Sequence, residues 1–206
     1  MYNDGQVILL ELVMTRLSDI SEDRYSEMYR NSPADLIGRV GTFPCEEDRR
    51  MTVVAYDIVR RRIAELTGND NVRIFADGRT KPYSDSEICF SIAHSFGMIA
   101  VVFSDREVGV DTEKIRKVNM RIAEKYFSQK EREYILSSEN PEESFFTVWT
   151  LKEAWLKCNG KGLEGGIQSV CFSFDGGNIR CSDEGYSFFL FKENGFVTAV
   201  CEKKLF

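Results

Sequence analysis

One histidine, His94, serves the whole chain of 206 residues, and none of the six cysteines falls in a C-x-x-C pair. That scarcity excludes the zinc-finger patterns, which need four Cys or His ligands at close spacing. Several of the cysteines (Cys45, Cys89, Cys158, Cys171, Cys181, Cys201) lie in apolar runs such as "EICFSI", "SVCFSF" and "TAVCEK". They read as buried free thiols, which implies a reduced, cytoplasmic protein. No run reaches the roughly eighteen apolar residues that a membrane span needs. The opening "MYNDGQVILLELVMTRL" is broken by Glu11 and lacks a basic leader and a small-residue cleavage site, so it does not read as a secretion signal. There are only four prolines and no Gly/Pro-rich linker, so two halves, if present, pack closely. Positive charge is also in deficit. With 27 Lys and Arg against 33 Asp and Glu, the net charge is −6. That balance speaks against a broad nucleic-acid surface but leaves room for a local basic pocket.

What is present suits an ordinary globular protein: 43% hydrophobic and 29% charged residues. "QVILLELVM" (6–14) reads as a buried first strand, and "SEDRYSEMYRN" (21–31) as a short polar helix. "CEEDRRMTVVAYDIVRRRIAELTG" (45–68) is a long amphipathic helix with acids in its first turn and Gly68 past its end. "RIFADGRTKPY" (73–83) carries turn chemistry at Asp77-Gly78 and Lys81-Pro82. Three strand-like runs follow, 87–95, 98–105 and 107–115. Their short gaps predict an antiparallel meander. "NMRIAEKYF" (119–127) is a helix capped by Asn119, and "SQKE" (128–131) is a capping box opening another. Asn140-Pro141 starts a long helix that Gly160 ends. The tail reads as strands, with hairpin turns at Gly176-Gly177 and Asn194-Gly195. The class is α+β.

Two stretches carry candidate chemistry. In "VGVDTEKI", strand alternation turns Val108, Val110 and Thr112 one way and Gly109, Asp111 and Glu113 the other. The two carboxylates then lie about 6.5 Å apart on one face. They repel, so one holds its proton more tightly unless a cation binds. Oxygen-only ligands suit Mg²⁺. In "VWTLKEAWLKCNGKG" (148–162), bulky residues share a helix with Lys152, Glu153 and Lys157. Glu153 and Lys157 are neighbours at i, i+4. They read either as a surface ion pair or as the edge of a site. His94, at a strand end, reads as a hydrogen-bonded turn residue or a phosphate contact.

Taken together, "FSIAHS", then "GVDTE" with Asp111 seventeen residues after His94, then "YFSQKE", then Trp149, Lys152, Glu153, Ala154, Lys157, Gly160 and Gly162 closely resemble the 4′-phosphopantetheinyl transferases of the surfactin-synthetase type. "GRTKPY" resembles that family's upstream G-K-P segment, and the match covers roughly 73–174. The resemblance implies two similar antiparallel-sheet-plus-helix halves related by a pseudo-twofold axis. They would be 1–105 and 106–206, meeting near 104–107, in a monomer. It implies transfer of the 4′-phosphopantetheine arm of coenzyme A, the co-substrate, to a serine of an apo acyl or peptidyl carrier protein, with release of adenosine 3′,5′-bisphosphate. It further implies Mg²⁺, with Mn²⁺ as a substitute, on Asp111, Glu113 and Glu153. Lys157 would contact the pyrophosphate, and His94 the 3′-phosphate. Lys81 would lie near the adenine, and Arg50 would be a further coenzyme contact. The base for the carrier serine is Glu131 or Glu153. The carrier would dock near 119–135 and after Lys161, against Lys125, Lys130, Arg132 and Lys161. Two departures stand out. The family often has Ser before the histidine, where this chain has Ala93, and the arginine near the start of the long helix matches either Arg49 or Arg50. Two rival readings differ in their expectations. A Mg²⁺-dependent nucleotide phosphohydrolase would turn over without a carrier. A non-catalytic carrier-binding module would have lost a carboxylate or Lys157, and none is lost.

Overall fold

The computed structural model describes residues 9–76, 81–160, 166–175 and 178–205. Six α-helices and ten strands fall within them: β1 Leu10–Arg16, α1 Glu22–Arg30, α2 Ala34–Val40, α3 Glu46–Thr67, β2 Ile74–Phe75, β3 Tyr83–Ser84, β4 Cys89–Ser95, β5 Met98–Ser104, β6 Val108–Lys114, α4 Arg121–Tyr126, α5 Gln129–Ser137, α6 Pro141–Asn159, β7 Phe172–Asp175, β8 Asn178–Cys181, β9 Tyr186–Glu193 and β10 Phe196–Lys203. The α+β class stands on these elements.

Two three-stranded antiparallel sheets share one topology. The first has the order β1-β5-β4 and the second β6-β10-β9. In each, the half's first strand pairs with its last, which sits at the centre. Each sheet is covered by one long helix. On the first sheet, α3 buries Val53, Val59 and Ile63 with Ile99, Val101 and Phe103 of β5. On the second, α6 buries Leu151, Ala154 and Trp155 with Ala199 and Cys201 of β10.

The expected meander is corrected here. β4 and β5 do form a hairpin, His94 opposite Ile99, but β6 does not continue it. β6 pairs with β10, Asp111 opposite Ala199. At the turn, the Ser104 hydroxyl accepts the Arg106 amide at 3.0 Å, and the chain crosses to the other sheet. β6 still passes β4, where the Val110 amide donates to Ser91 Oγ at 3.2 Å, a side-chain bridge in place of a ladder. The first strand is also corrected. It runs from Leu10 to Arg16 and is half-buried, because it is an edge strand paired only with β5. Residues 6–8 of the expected strand lie outside the described residues, as do Gly78, Lys161, Gly162 and the Gly176-Gly177 turn.

Local signals held where they were specific. Gly68 and Gly160 end α3 and α6 at φ 67° and 68°. Asn140 accepts the Glu143 amide at 3.1 Å at the start of α6. Ser128 and Glu131 form the reciprocal capping box. Asn194 and Gly195 turn with φ 53° and 78°. α4 opens one residue later than expected, at Arg121, whose amide donates to Asn119 Oδ1.

Candidate active site

The site is built where α6 lies on β6. Gly109 makes that approach possible. A Cβ there would stand 2.1 Å from the Ala154 carbonyl oxygen and 2.5 Å from the Cys158 nitrogen. No side chain fits between strand and helix at this point. Strand alternation does the rest. Val108 and Val110 turn into an apolar cluster with Ala93, and Gly109, Asp111 and Glu113 turn to the other face.

Asp111 is 9% exposed. Lys157 Nζ donates to its Oδ1 at 2.8 Å, while Oδ2 is buried with no hydrogen-bond partner. Burial pushes the Asp111 carboxyl above its ordinary range. Lys157 pulls it back, and the nearby charge of Glu113 pushes it further up. Glu153 is raised for the same first reason, burial, and then by Asp111 and Glu113, with Lys157 opposing. Glu113 is better satisfied: its Oε2 accepts from Ser95 Oγ at 2.9 Å and from Arg116 at 3.0 Å. The three carboxylates thus share one field. Among the described residues, however, no three His, Cys, Asp or Glu side chains stand close enough together to hold a metal ion. Lys157 occupies one oxygen of Asp111, and Ser95 and Arg116 turn Glu113 aside. The donor set still suits a hard cation, being oxygen only, mutually repelling and possessed of one orphaned buried oxygen.

His94 lies beside this cluster. Burial lowers its affinity for a proton. Asp48 and Glu47 of α3 act the other way, and Lys157 adds to the lowering. Its Nε2 is 3.4 Å from Thr52 Oγ1, and that hydroxyl also faces the Asp48 carbonyl at 2.8 Å. Sequence reasoning missed Thr52. Its signal was the i, i+4 step from Asp48 along α3, legible only once His94 is known to face that helix.

Three expected residues stand elsewhere. Arg50 forks onto Glu22 of α1 at 2.6 and 3.1 Å and lies over the Tyr25 ring. It lines a cleft of about 590 Å³ with Glu47, also of α3, and with Phe96, Lys114 and Phe196 from the ends of both sheets. Lys81 sits at the start of β6, donating to the Val108 carbonyl at 2.7 Å, with Glu107 at 3.6 Å. Glu131 stands away from the carboxylate cluster, enclosed beneath α5 and α6. It is 0% exposed. One oxygen accepts the Phe172 amide at 2.8 Å. The other accepts the Ser128 amide at 2.7 Å and faces Lys152 at 3.1 Å.

The family match falls on the region of this site. Residues 107–201 match the family model described as the 4′-phosphopantetheinyl transferase superfamily. The chain is 34% identical to the 4′-phosphopantetheinyl transferase gsp of Aneurinibacillus migulanus, over 52% of this chain and 46% of that protein. It is 32% identical to psf-1 of Bacillus pumilus, over 67% and 59%, and 33% identical to Sfp of Bacillus subtilis (strain 168), over 57% and 55%. In these three comparisons the chain spans about half to three-fifths of the length of the relatives it matches. The crystal structure of the holo-[acyl-carrier-protein] synthase of Thermotoga maritima aligns at 26% identity over 48% of this chain and 64% of its own, with a TM-score of 0.42. That overlap is partial, and the fold class rests on the chain's own strands and helices.

Proposed function

We infer, for a chain whose residues 107–201 belong to the 4′-phosphopantetheinyl transferase superfamily, that it moves the phosphopantetheine arm of coenzyme A onto a serine of an apo carrier protein. The observation that carries this reading is the meeting of Asp111 with Lys157 across β6 and α6, with Glu153 and Glu113 in the same field. The serine oxygen attacks the β-phosphorus of coenzyme A and loses its proton. The bond from that phosphorus to the bridging oxygen breaks, and adenosine 3′,5′-bisphosphate leaves.

With Glu131 enclosed, Glu153 is the carboxylate this chain offers to the serine proton. Lys157, 30% exposed at its side chain, turns from Asp111 to the pyrophosphate and stabilises charge on its oxygens. Asp111, Glu113 and Glu153 would hold Mg²⁺ or Mn²⁺, which supplies further charge neutralisation at the phosphates. His94 faces the 3′-phosphate of coenzyme A, and Lys81 and Arg50 serve the rest of the nucleotide. The carrier docks along 119–135, where Lys125 and Lys130 are exposed, complementary to an acidic helical bundle. One chain suffices as a monomer. Six free cysteines fit the reducing cytoplasm, and among the described residues no helix is long and apolar enough to cross a membrane.

The test is a panel of apo-carriers incubated with coenzyme A and Mg²⁺ and read by mass. Each true substrate gains the mass of the arm, at the serine, in step with release of the bisphosphate. Bisphosphate release at the same rate without any carrier would turn the reading to a phosphohydrolase.

A further inference from the structure

Next to Glu153 stands a charge that the site itself does not use. Lys152 is 0% exposed, and so is Glu131. The Lys152 ammonium has three protons and three acceptors. They are Glu131 Oε2 at 3.1 Å, the Ile167 carbonyl at 3.1 Å and the Val170 carbonyl at 2.5 Å. The Glu131 carboxylate is likewise filled by the Ser128 and Phe172 amides. One ion pair therefore joins the start of α5, the middle of α6 and the segment that enters β7.

Burying two opposite charges is tolerated only when each donor and acceptor is matched. Here they are matched in one arrangement. All three acceptors lie to one side of α6. Successive residues of a helix are set about 100° apart, so the direction of Lys152 fixes the direction of Glu153 and, one turn on, of Lys157. Rotating or sliding α6 would draw the ammonium away from three acceptors at once, amid Phe127, Leu151 and Val170. Apolar packing alone tolerates small rotations, since it has no direction. The ion pair does not.

We propose that Lys152 and Glu131 are positioning residues: a buried charge pair that sets the rotation of α6 and so holds Glu153 and Lys157 against Asp111. The consequence for rate rests on the transferase reading above. The positional claim concerns the carboxylate cluster itself and is tested apart from turnover.

The variant is Glu131→Gln together with Lys152→Met. It removes both charges at once and nearly keeps side-chain length, and the one amide oxygen that replaces the carboxylate leaves an acceptor for either the Ser128 or the Phe172 amide. It should retain a cooperative melting transition. Its dissociation constant for Mn²⁺, titrated by electron paramagnetic resonance with coenzyme A present, should rise about 10- to 100-fold, the scale seen when groups that orient metal ligands are lost. Turnover should fall by a similar factor. If the double variant does not fold, Glu131→Gln alone, which keeps the cap and the Lys152 carbonyl contacts, takes its place with the same expectations. A folded variant with wild-type Mn²⁺ affinity and turnover overturns the proposal, and so does a wild-type chain that binds no Mn²⁺. If wild type moves no arm from coenzyme A, the transferase reading falls, and the Mn²⁺ comparison still judges the positioning.

Discussion

At the scale of single residues, burial dominates the charges of the site. Asp111 and Glu153 both hold their protons more tightly when folded than when unfolded. Their contribution to stability is therefore full below the unfolded carboxylate range and is lost as pH rises through their folded values. In chelator, wild type should lose stability as pH climbs from that range toward neutrality. Glu153→Gln removes one share of that loss, so its melting temperature at pH 7 in chelator should equal or exceed that of wild type, while turnover drops by about 10² or more. Glu142, in the first turn of α6, is the control: its neutralisation should shift stability by tenths of a kcal/mol through the helix dipole and spare turnover. Near-normal turnover in Glu153→Gln would show that the chemistry proceeds without this residue. His94 runs the other way. Its folded proton affinity is lowered, so its contribution is present above the ordinary imidazole range and is lost as pH falls through the folded value. An anionic phosphate beside it favours the imidazolium. Coenzyme A should therefore raise the His94 pKa, and dephospho-coenzyme A should not. With one imidazole in the chain, a proton NMR titration reads this directly. His94→Ala should weaken coenzyme A binding by about 1.5–3 kcal/mol. Equal shifts with both ligands would rule out the 3′-phosphate contact.

At the scale of elements, what the sequence showed was what short spacing controls. α6 was legible from Asn140, Pro141 and Gly160 because caps are local chemistry. The Asp111–Glu113 face was legible because a strand has period two. The partner of β6 was not, since Val110 meets Val200 across ninety residues of chain and no local signal encodes that pairing. The enclosure of Glu131 was hidden for a related reason. S-x-x-E reads the same whether a capping box is exposed or enclosed, and only tertiary packing brings Lys152 and the Phe172 amide to it. α2 carries no clear local helix signal, because its seven residues include Gly38 and are followed at once by Gly41. The α6–β6 contact yields a sharp expectation. Gly109→Ala places a methyl inside two backbone atoms that cannot swing aside. Overpacking of this kind costs about 1–3 kcal/mol and occasionally more, and here the upper end is expected. The helix must also lift from the strand, carrying Glu153 and Lys157 away from Asp111. Urea midpoint and turnover should fall together, and an unchanged midpoint would mean that α6 sits further from β6 than described. By contrast, Lys152→Met alone strands a buried carboxylate and should cost about 3–5 kcal/mol.

At the scale of the whole molecule, two halves were expected from the family resemblance alone, and how the two sheets join was not legible. The joint is apolar and continuous. Ala93, Ala100 and Val102 from the first sheet pack with Val108, Val110 and Val200 from the second. Around it, Ser104 and Arg106 both hold Glu202, at 2.7 and 2.8 Å, and Lys81 holds the Val108 carbonyl. Neither half therefore closes its own core. Ala100, Val102, Val108 and Val110 are all at 0% exposure in the intact chain, and cutting the chain after residue 105 would open each of them to water. Unfolding should then be one transition, with the calorimetric enthalpy equal to the van't Hoff enthalpy. The fragments 1–105 and 106–206 expressed apart should each lack a cooperative melt. Because β6, α6 and the cleft side chains all come from one chain, transfer activity should sediment with the monomer and its specific rate should not depend on protein concentration. Two separate calorimetric transitions would contradict the shared core. Activity confined to a dimer peak would mean instead that a second copy completes the cleft that Arg50, Phe96, Lys114 and Phe196 line within a single chain.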